Sequence, residues 1–400
     1  MLQLSFVEFK QGTYLIVDGA DYNTRFFIIQ SGQVKCHNSL DPGKNATRIL
    51  TTGDFIGVIP CMSGHSQIEN AIALTDVKCI SVQKEQYPEL IRMNTPVALK
   101  IIRTFATRMR EMNEQLTQLT LNGVSSDTPE HIFDVAQFYD NPLNHDIATY
   151  AYYRYIKEYP QGANIPHAKR RLAELKPSSK AVYFEPTDEL VRRYPQGTMI
   201  MSESQRGSEM FVIQEGQVTI SKVVDGNAVV LAMLNKGDMF GEMALLENKP
   251  RSASAIAHQD CVLMVINRAN FNQMVSSQPQ LIARLTTTLA ERLWLMYRQL
   301  GSTCLHEPLH KAIDTIALQL EKTRHFDGSF QTDFTISDII TMCGLQPQEQ
   351  MKVASQLQSE KHIRIVQKKI FVTDCAAIIK AAAFFKKQES SHLARRESGV

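Results

Sequence analysis

The sixteen residues from Phe240 to Ala255 read FGEMALLENKPRSASA and bring together a glycine, a carboxylate, several small residues and one arginine. Gly241 lets the backbone approach a bound molecule closely, because glycine has no side chain to keep that molecule away. Glu242 can accept hydrogen bonds from a sugar hydroxyl. The amides of Met243 and Ala244, at the start of a short predicted helix, can point at an anion.

Arg251 and Ser252 complete this pattern nine and ten residues after Glu242. An arginine can cross the loop and place a planar fork of donors on a phosphate. The serine hydroxyl adds a neutral donor beside it. The segment therefore predicts a site for a small sugar phosphate, with the carboxylate at the sugar and the guanidinium group at the phosphate.

The segment resembles the phosphate-binding cassette of the cyclic-nucleotide-binding domain family. Its flanks agree with that resemblance, since a Gly-Gln-Val turn lies at 216–218, a Gly-Asp pair at 237–238 and alternating apolar residues at 262–266. The resemblance implies a β-roll (jelly-roll-like) domain whose ligand is cAMP or cGMP. The residues expected to contact that ligand are Gly241, Glu242, Met243, Ala244, Arg251 and Ser252. The alternative is a domain of the same fold with an idle pocket, and the presence of both charged residues at the family spacing argues against it.

A second copy of the pattern lies upstream at a constant offset of 184 residues. The matching pairs include Phe27 and Phe211, Gly32 and Gly216, Gly53 and Gly237, and Gly57 and Gly241. Internal repetition of this kind indicates two domains of one ancestry. We place them, each with a long helix at its end, at 1–122 and 179–302.

The first copy lacks the charged residues of the second. Val58, Gln67 and Ile68 stand at the positions of Glu242, Arg251 and Ser252. A valine cannot hold a ribose hydroxyl, and a glutamine offers no charge to a phosphate. We expect the first domain to bind no cyclic nucleotide, and a less anionic ligand is the alternative.

Length and composition are those of an ordinary water-soluble protein. The chain has 400 residues, 44% of them hydrophobic, and a net charge of +2, which points to no class of partner. Its first residues lack the apolar core of a signal peptide, and no apolar run reaches membrane-spanning length. The expectation is a cytoplasmic protein without a membrane partner. Seven scattered cysteines predict reduced core residues and no metal site.

Apolar residues recur at helical spacing over 86–121 and again over 279–300. In the family such a helix closes the pocket and pairs with a second helix across a dimer. Because this chain has two of them, a homodimer and an intramolecular pseudodimer both remain open. The resemblance to the bacterial catabolite-activator branch places Met296 and Tyr297 where that branch reads the base. On this basis we expect cAMP rather than cGMP.

The segment 123–178 belongs to neither copy and reads as three short helices, the clearest at 146–158 and 166–175. It is similar to one and a half tetratricopeptide-type repeats. Because independent stability normally requires three repeats, a helical spacer packed on its neighbours is favoured over a peptide-binding groove.

From residue 303 to 376 the pattern changes to helices at 309–322, 337–342 and 347–360, followed by strands at 363–366 and 370–373. This order resembles the winged helix-turn-helix of catabolite-activator and Fnr-type transcription regulators, with Gly344 in the turn. The family commonly has arginine, glutamate and arginine early in the recognition helix. This chain instead offers Gln348 and Gln350 for adenine contact and Lys352 for phosphate.

The C-terminal residues are basic. From 361 to 400 there are nine basic and three acidic residues, a net charge of +6, which suits phosphate contact by the wing residues Lys368 and Lys369 and by a basic tail at 377–400. A solubilising tail is the alternative.

The predicted fold class is therefore α+β and multidomain, and three functions remain. The first is a ligand-responsive transcription regulator, with DNA as its partner. The second is a cyclic-nucleotide-sensing scaffold or adaptor. The third is a kinase regulatory subunit, ranked last because an insert separates the domains and no room for an inhibitory segment precedes them. We expect no enzymatic activity, because the sequence has no nucleophile–base pair, metal cluster or phosphate loop with lysine.

Overall fold

The computed structural model describes residues 5–20, 24–38, 46–121, 130–185, 187–224, 226–303, 305–343, 345 and 347–397. The chain divides into two compact units. One comprises Glu85–Leu289, and the other comprises Gln3–Lys84 together with Ala290–Val400. The first β domain therefore shares a unit with the C-terminal residues.

The first domain consists of two facing antiparallel sheets. Its elements are β1 (Ser5–Phe9), β2 (Tyr14–Ile16), β3 (Arg25–Ser31), β4 (Val34–His37), β5 (Thr47–Leu50), β6 (Phe55–Ile56), α1 (Val58–Ser63), β7 (Asn70–Ala73) and β8 (Val77–Gln83). The strand orders are β1-β8-β3-β6 and β2-β7-β4-β5. Residues such as Phe27, Ile29, Val34 and Cys79 point inward from alternate positions and form the core between the sheets.

Within the described residues, five α-helices follow: α2 (Tyr87–Met93), α3 (Thr95–Leu121), α4 (His131–Phe138), α5 (His145–Glu158) and α6 (Ile165–Leu175). The helix predicted over 86–121 is interrupted at Asn94, which has φ −143°. Pro96 explains the interruption, because proline fits the first turn of a helix and disrupts a helix interior. The three short helices predicted between the domains are present as α4, α5 and α6.

The second domain repeats the topology of the first. Its elements are β9 (Val191–Tyr194), β10 (Met199–Met201), β11 (Glu209–Glu215), β12 (Val218–Val224), β13 (Asn227–Leu234), β14 (Met239–Phe240), α7 (Glu242–Glu247), β15 (Ser254–Ala257) and β16 (Cys261–Asn267). Its sheets have the orders β14-β11-β16-β9 and β10-β15-β12-β13. Gly32 and Gly216 have φ of 95° and 84°, and a Cβ at either would lie within 2.4 Å of a backbone oxygen, so both positions require glycine.

The remaining elements are α8 (Arg268–Ser277), α9 (Pro279–Thr303), α10 (Pro308–Lys322), β17 (Phe330–Gln331), α11 (Ile336–Met342), α12 (Pro347–Ser359), β18 (Ile363–Val366), β19 (Lys369–Val372) and α13 (Cys375–Glu397). The helices and strands predicted over 303–376 lie within one or two residues of these bounds, and β17 is additional. Gly344 lies outside the described residues. None of the described helices is long and apolar enough to cross a membrane.

The segment 377–400, which the charge pattern predicted to be a tail, is helical as far as Glu397 in α13. Alanine has the highest helix propensity, and five alanines lie between residues 376 and 383. Cys375, Ile378 and Ala382 are buried in one core with α10, so tertiary packing holds this helix in place.

Candidate functional site

Gly241 starts the turn that separates β14 from α7 in the second domain. Its φ of 79° lies in the left-handed region, and a Cβ there would lie 2.7 Å from Nη1 of Arg251. Glycine is therefore required on two grounds, backbone conformation and space. The consequence is that Glu242 lies at the first position of α7, at the end closest to Arg251.

Arg251 is 4% exposed. Its Nη1 donates to the carbonyl oxygen of Gly241 over 2.6 Å, and its Cζ lies 5.9 Å from the ring centroid of Phe211. Among the residues that the structure describes, its Nε has no hydrogen-bond partner. A Cβ at Gly207 would lie 2.3 Å from that Nε, so a second glycine makes room for the guanidinium group.

Burial lowers the pKa of Arg251 to about 10, and Tyr150, Glu209 and Glu242 act in the opposite direction. The group is still charged at neutral pH, but its environment stabilises that charge poorly. A buried cation with an unused donor is suited to bind an anion, because the anion would supply both the missing charge and the missing hydrogen bond.

The other predicted contact residues lie around this arginine. Glu242 is 3% exposed, and Met243 and Ala244 are buried in the first turn of α7. Ser252 is half-buried, and its hydroxyl lies 3.7 Å from the sulfur of Met243. The fold thus brings the six predicted residues of the segment together in one unit.

The equivalent segment of the first domain carries uncharged side chains at the positions of Glu242, Arg251 and Ser252. Val58, Gln67 and Ile68 are each 4% exposed. Glu69 forms an ion pair with Arg48, which neutralises the nearby carboxylate. This segment has no arginine at the position of Arg251, so it lacks the feature that suits the second domain to an anion.

The family model for the cyclic nucleotide-binding domain matches residues 6–94 and 191–278. This chain contains two cyclic nucleotide-binding domains. The match covers both repeats, and Gly241 to Ser252 lie within its second range.

Several known proteins are similar to parts of this chain. The cAMP-activated global transcriptional regulator CRP of Salmonella typhimurium is 25% identical over 187 residues, 46% of this chain and 89% of that protein. The cAMP-dependent protein kinase regulatory subunit of Mycosarcoma maydis is 43% identical over 67 residues, 17% of this chain and only 13% of that protein. The crystal structure of the Thermus thermophilus catabolite activator protein matches with 26% identity and a TM-score of 0.28, covering 48% of this chain and 89% of that one.

Met296 and Tyr297, the predicted base-reading residues, lie on α9 in the unit that contains Gln3–Lys84. Tyr297 is 5% exposed, whereas Met296 is half-buried. Their part in reading the base of a ligand of the second cyclic nucleotide-binding domain stays a prediction.

Arg110 contacts the second domain beside α7, and the sequence alone did not predict this contact. It lies on α3, where its Nε forms an ion pair with Glu247 over 2.6 Å and its Nη2 donates to the carbonyl of Pro250 over 3.0 Å. Both side chains are less than 10% exposed. The one sequence feature that could have indicated a buried contact is that Arg110 is a charged residue close to the apolar positions Met109 and Met112 of the helix.

The predicted DNA-contacting residues differ in their exposure to solvent and in whether their side chains already have partners within the chain. Gln348, Lys352 and Lys368 are exposed. The side-chain amide of Gln350 donates to the carbonyl of Leu345 over 3.0 Å, and Lys369 pairs with Asp333 over 2.7 Å. The side chains of Lys387, Arg395 and Arg396 lie outside the described part of the chain.

A buried ion cluster joins α9 to the C-terminal helices. Arg298 on α9 pairs with Asp314 and Glu321 of α10 at 2.7 and 2.8 Å. Lys386 on α13 pairs with the same Asp314 over 2.8 Å and is therefore removed from the basic surface. Removing one partner of such a pair is strongly destabilising, so the cluster resists separation of these helices.

Proposed function

We propose that this protein senses a cyclic nucleotide, cAMP in the first instance, through its second cyclic nucleotide-binding domain and acts as a ligand-responsive transcription regulator. The observation that carries the proposal is the guanidinium group of Arg251. It is buried, it donates to the carbonyl of Gly241, and its Nε has no hydrogen-bond partner among the described residues. The first domain, with Val58 and Gln67 at the equivalent positions, is proposed to bind no cyclic nucleotide.

In the proposed complex Arg251 donates to the cyclic phosphate and Glu242 accepts from the ribose hydroxyl. Ser252 and the first amides of α7 add neutral donors to the phosphate. Each contact uses a residue that lies within or directly beside α7. Ligand binding would therefore act first on the position of that helix.

A shift of α7 has a direct route to α3, because Arg110 bonds to Glu247 at the end of α7 and to Pro250 beyond it. In the other unit, Arg298 fixes α9 to α10, and Lys386 of α13 pairs with Asp314 of the same α10. We propose that ligand changes the populations of two arrangements of these long helices and thereby the placement of the C-terminal residues.

The proposal of DNA binding draws on two supports. CRP of Salmonella typhimurium is described as a transcriptional regulator, and Gln348, Lys352 and Lys368 are exposed on the helix and hairpin that resemble a winged helix-turn-helix. Since arginines are absent from the predicted recognition helix, we expect phosphate contact to supply most of the affinity.

Two measurements test this function in sequence. Isothermal titration of the full chain with cAMP and with cGMP should give one site per chain and tighter binding of cAMP. An electrophoretic shift assay at low salt, with and without saturating cAMP, should then show a ligand-dependent complex with duplex DNA. A failure to bind either nucleotide contradicts the sensor, whereas binding without any DNA shift contradicts the regulator.

The second candidate is a sensing scaffold or kinase regulatory subunit that binds protein instead of DNA. The match to the Mycosarcoma maydis kinase subunit and the tandem order of two domains favour it. Binding of cAMP combined with a failure to shift DNA would promote this candidate.

A further inference from the structure

The helix α12 is fixed in the C-terminal part of the chain by one of its faces. Val353 and Leu357 are four residues apart, which places them on one side of the helix, and they are 1% and 0% exposed. Both belong to a hydrophobic core that also contains residues of α10, α11 and the hairpin β18–β19. The opposite face of α12 therefore points away from this core.

That opposite face consists of exposed side chains. Gln348, Met351, Lys352 and Ser355 are spaced by three and four residues, and each of them is exposed. Met351 is 82% exposed, and among the described side chains of α12 it is the one large apolar side chain that is exposed. Gln348 precedes it by one turn, and Lys352 follows it directly. An apolar side chain thus lies in the middle of a polar surface.

Two polar neighbours of Met351 have bonds within the chain. The side-chain amide of Gln350 donates to the carbonyl of Leu345 over 3.0 Å, and the residue is half-buried. Ser355 Oγ donates to the carbonyl of Met351 itself over 3.1 Å. Contact of this face with a partner therefore depends on its other exposed side chains, above all on Met351.

The charges around this face favour an anionic partner. Lys352 on α12, Lys361 just after it and Lys368 in the turn between β18 and β19 are all exposed. The carboxylate of Asp333 is paired with Lys369 over 2.7 Å. The phosphates of a DNA duplex suit these lysines, and such contacts fix the register of a protein on DNA without reading its sequence. They would leave Met351 facing the edges of the bases.

The base edges in the major groove carry one apolar group, the C5 methyl of thymine. A methionine side chain is flexible and apolar, so it can pack against that methyl and remove both groups from water. Cytosine lacks the methyl, and the groove edges of the purines are polar, so neither gains equally from contact with methionine. The amide of Gln348, one turn earlier, is suited to adenine.

We propose that Met351 is a specificity-determining residue that reads the C5 methyl of thymine when α12 lies in the major groove of DNA. This inference rests on the proposed DNA binding and deepens it, because it names the base feature that is read. Gln348 and Met351 together then select A·T over G·C pairs, whereas Lys352 contributes affinity for any sequence.

The test compares two duplexes of one A·T-rich sequence that differ only in a methyl group. One contains thymine, and in the other deoxyuridine replaces every thymine, which leaves the phosphates and the base-pairing groups unchanged. Fluorescence anisotropy of the full chain at low salt with saturating cAMP should give a Kd about three- to fivefold lower for the thymine duplex, the range for one buried methyl group. Met351→Ala should bind the two duplexes equally.

Two further variants separate base reading from other effects. Met93→Ala changes a methionine that is 65% exposed on α2, and this variant should keep the preference for thymine. Lys352→Ala should weaken binding to both duplexes and leave the ratio of their dissociation constants unchanged.

Equal binding of the two duplexes by the natural chain, or a thymine preference that survives in Met351→Ala, overturns the inference and leaves the proposed DNA binding intact. If the natural chain binds neither duplex, the proposed DNA binding fails, and the inference fails with it.

Discussion

Arg110 and Trp294 occupy equivalent positions of the two repeats, 184 residues apart, and donate to carbonyls that are themselves equivalent. Arg110 Nη2 donates to the carbonyl of Pro250 over 3.0 Å, and Trp294 Nε1 donates to the carbonyl of Ser66 over 3.0 Å. Trp294 also stacks on His65, with 3.9 Å between the ring centroids. In each unit the helix that follows one domain thus bonds to the cassette segment of the other domain.

This exchange of helices favours the intramolecular pseudodimer over a homodimer. A single chain supplies both partners of each contact, so no second copy is needed to cover the two cassette segments. We expect sedimentation velocity at micromolar concentration to give a mass near 45.2 kDa, that of one chain, with and without cAMP. A species of twice that mass under both conditions would contradict the pseudodimer.

Arg110→Ala should destabilise the protein strongly. The Arg110 and Glu247 side chains are 9% and 5% exposed, and removal of one partner leaves the other charge buried. We expect a loss of about 3–5 kcal/mol in the free energy of unfolding. The control is Arg92→Ala, which breaks an exposed pair with Glu89 and should cost less than about 1 kcal/mol. Urea denaturation of both variants measures their free energies of unfolding. Equal decreases in the two variants would contradict the prediction.

Arg251→Ala should weaken cyclic nucleotide binding, because it removes a charge-assisted contact with the phosphate. The expected loss is about 1.5–3 kcal/mol, roughly ten- to hundredfold in Kd. Gln67→Ala, at the equivalent position of the first domain, should leave both the Kd and the stoichiometry of one unchanged. Two sites per chain in calorimetry, or an unaffected Kd in Arg251→Ala, would remove the assignment.

Tyr297→Ala should change the ratio of the cAMP and cGMP dissociation constants. The reason is that an aromatic ring with a hydroxyl can stack on a purine or bond to its edge. Because Tyr297 is 5% exposed, Tyr297→Phe serves as the control that keeps the packing. A ratio that stays constant in both variants means that α9 does not read the base.

Charge reversal at Lys368 and Lys369 should weaken binding to all duplexes about equally, since phosphates are alike whatever the sequence. The exposed Lys368 should have the larger effect of the two, because Lys369 is paired with Asp333. Lys352→Ala should weaken binding further. Shift assays over a range of salt concentrations should show a steep decline, and a sequence-selective loss would contradict phosphate contact.

The sequence by itself determined the duplication and the chemical difference between the two copies. Glycines with positive φ and alternating apolar residues are local requirements of the chain, so Gly241 and the strands around it were predictable from residue type and spacing. Likewise the absence of charge at Val58 and Gln67 needed no coordinates. The long helices are predictable from their period, and the interruption at Asn94 follows from Pro96, which disrupts a helix interior.

Only the tertiary structure decided which segments lie together. The contacts of Arg110 with Pro250 and of Trp294 with Ser66 join residues far apart in the chain, and nothing in the residues nearby specifies such partners. The charge pattern of 377–400 predicts a solvated tail, whereas α13 is buried in part because it packs against α10, which the residues nearby do not specify. Side-chain burial and ion pairing are properties of the assembled core, and a chain reveals them only once distant segments have packed.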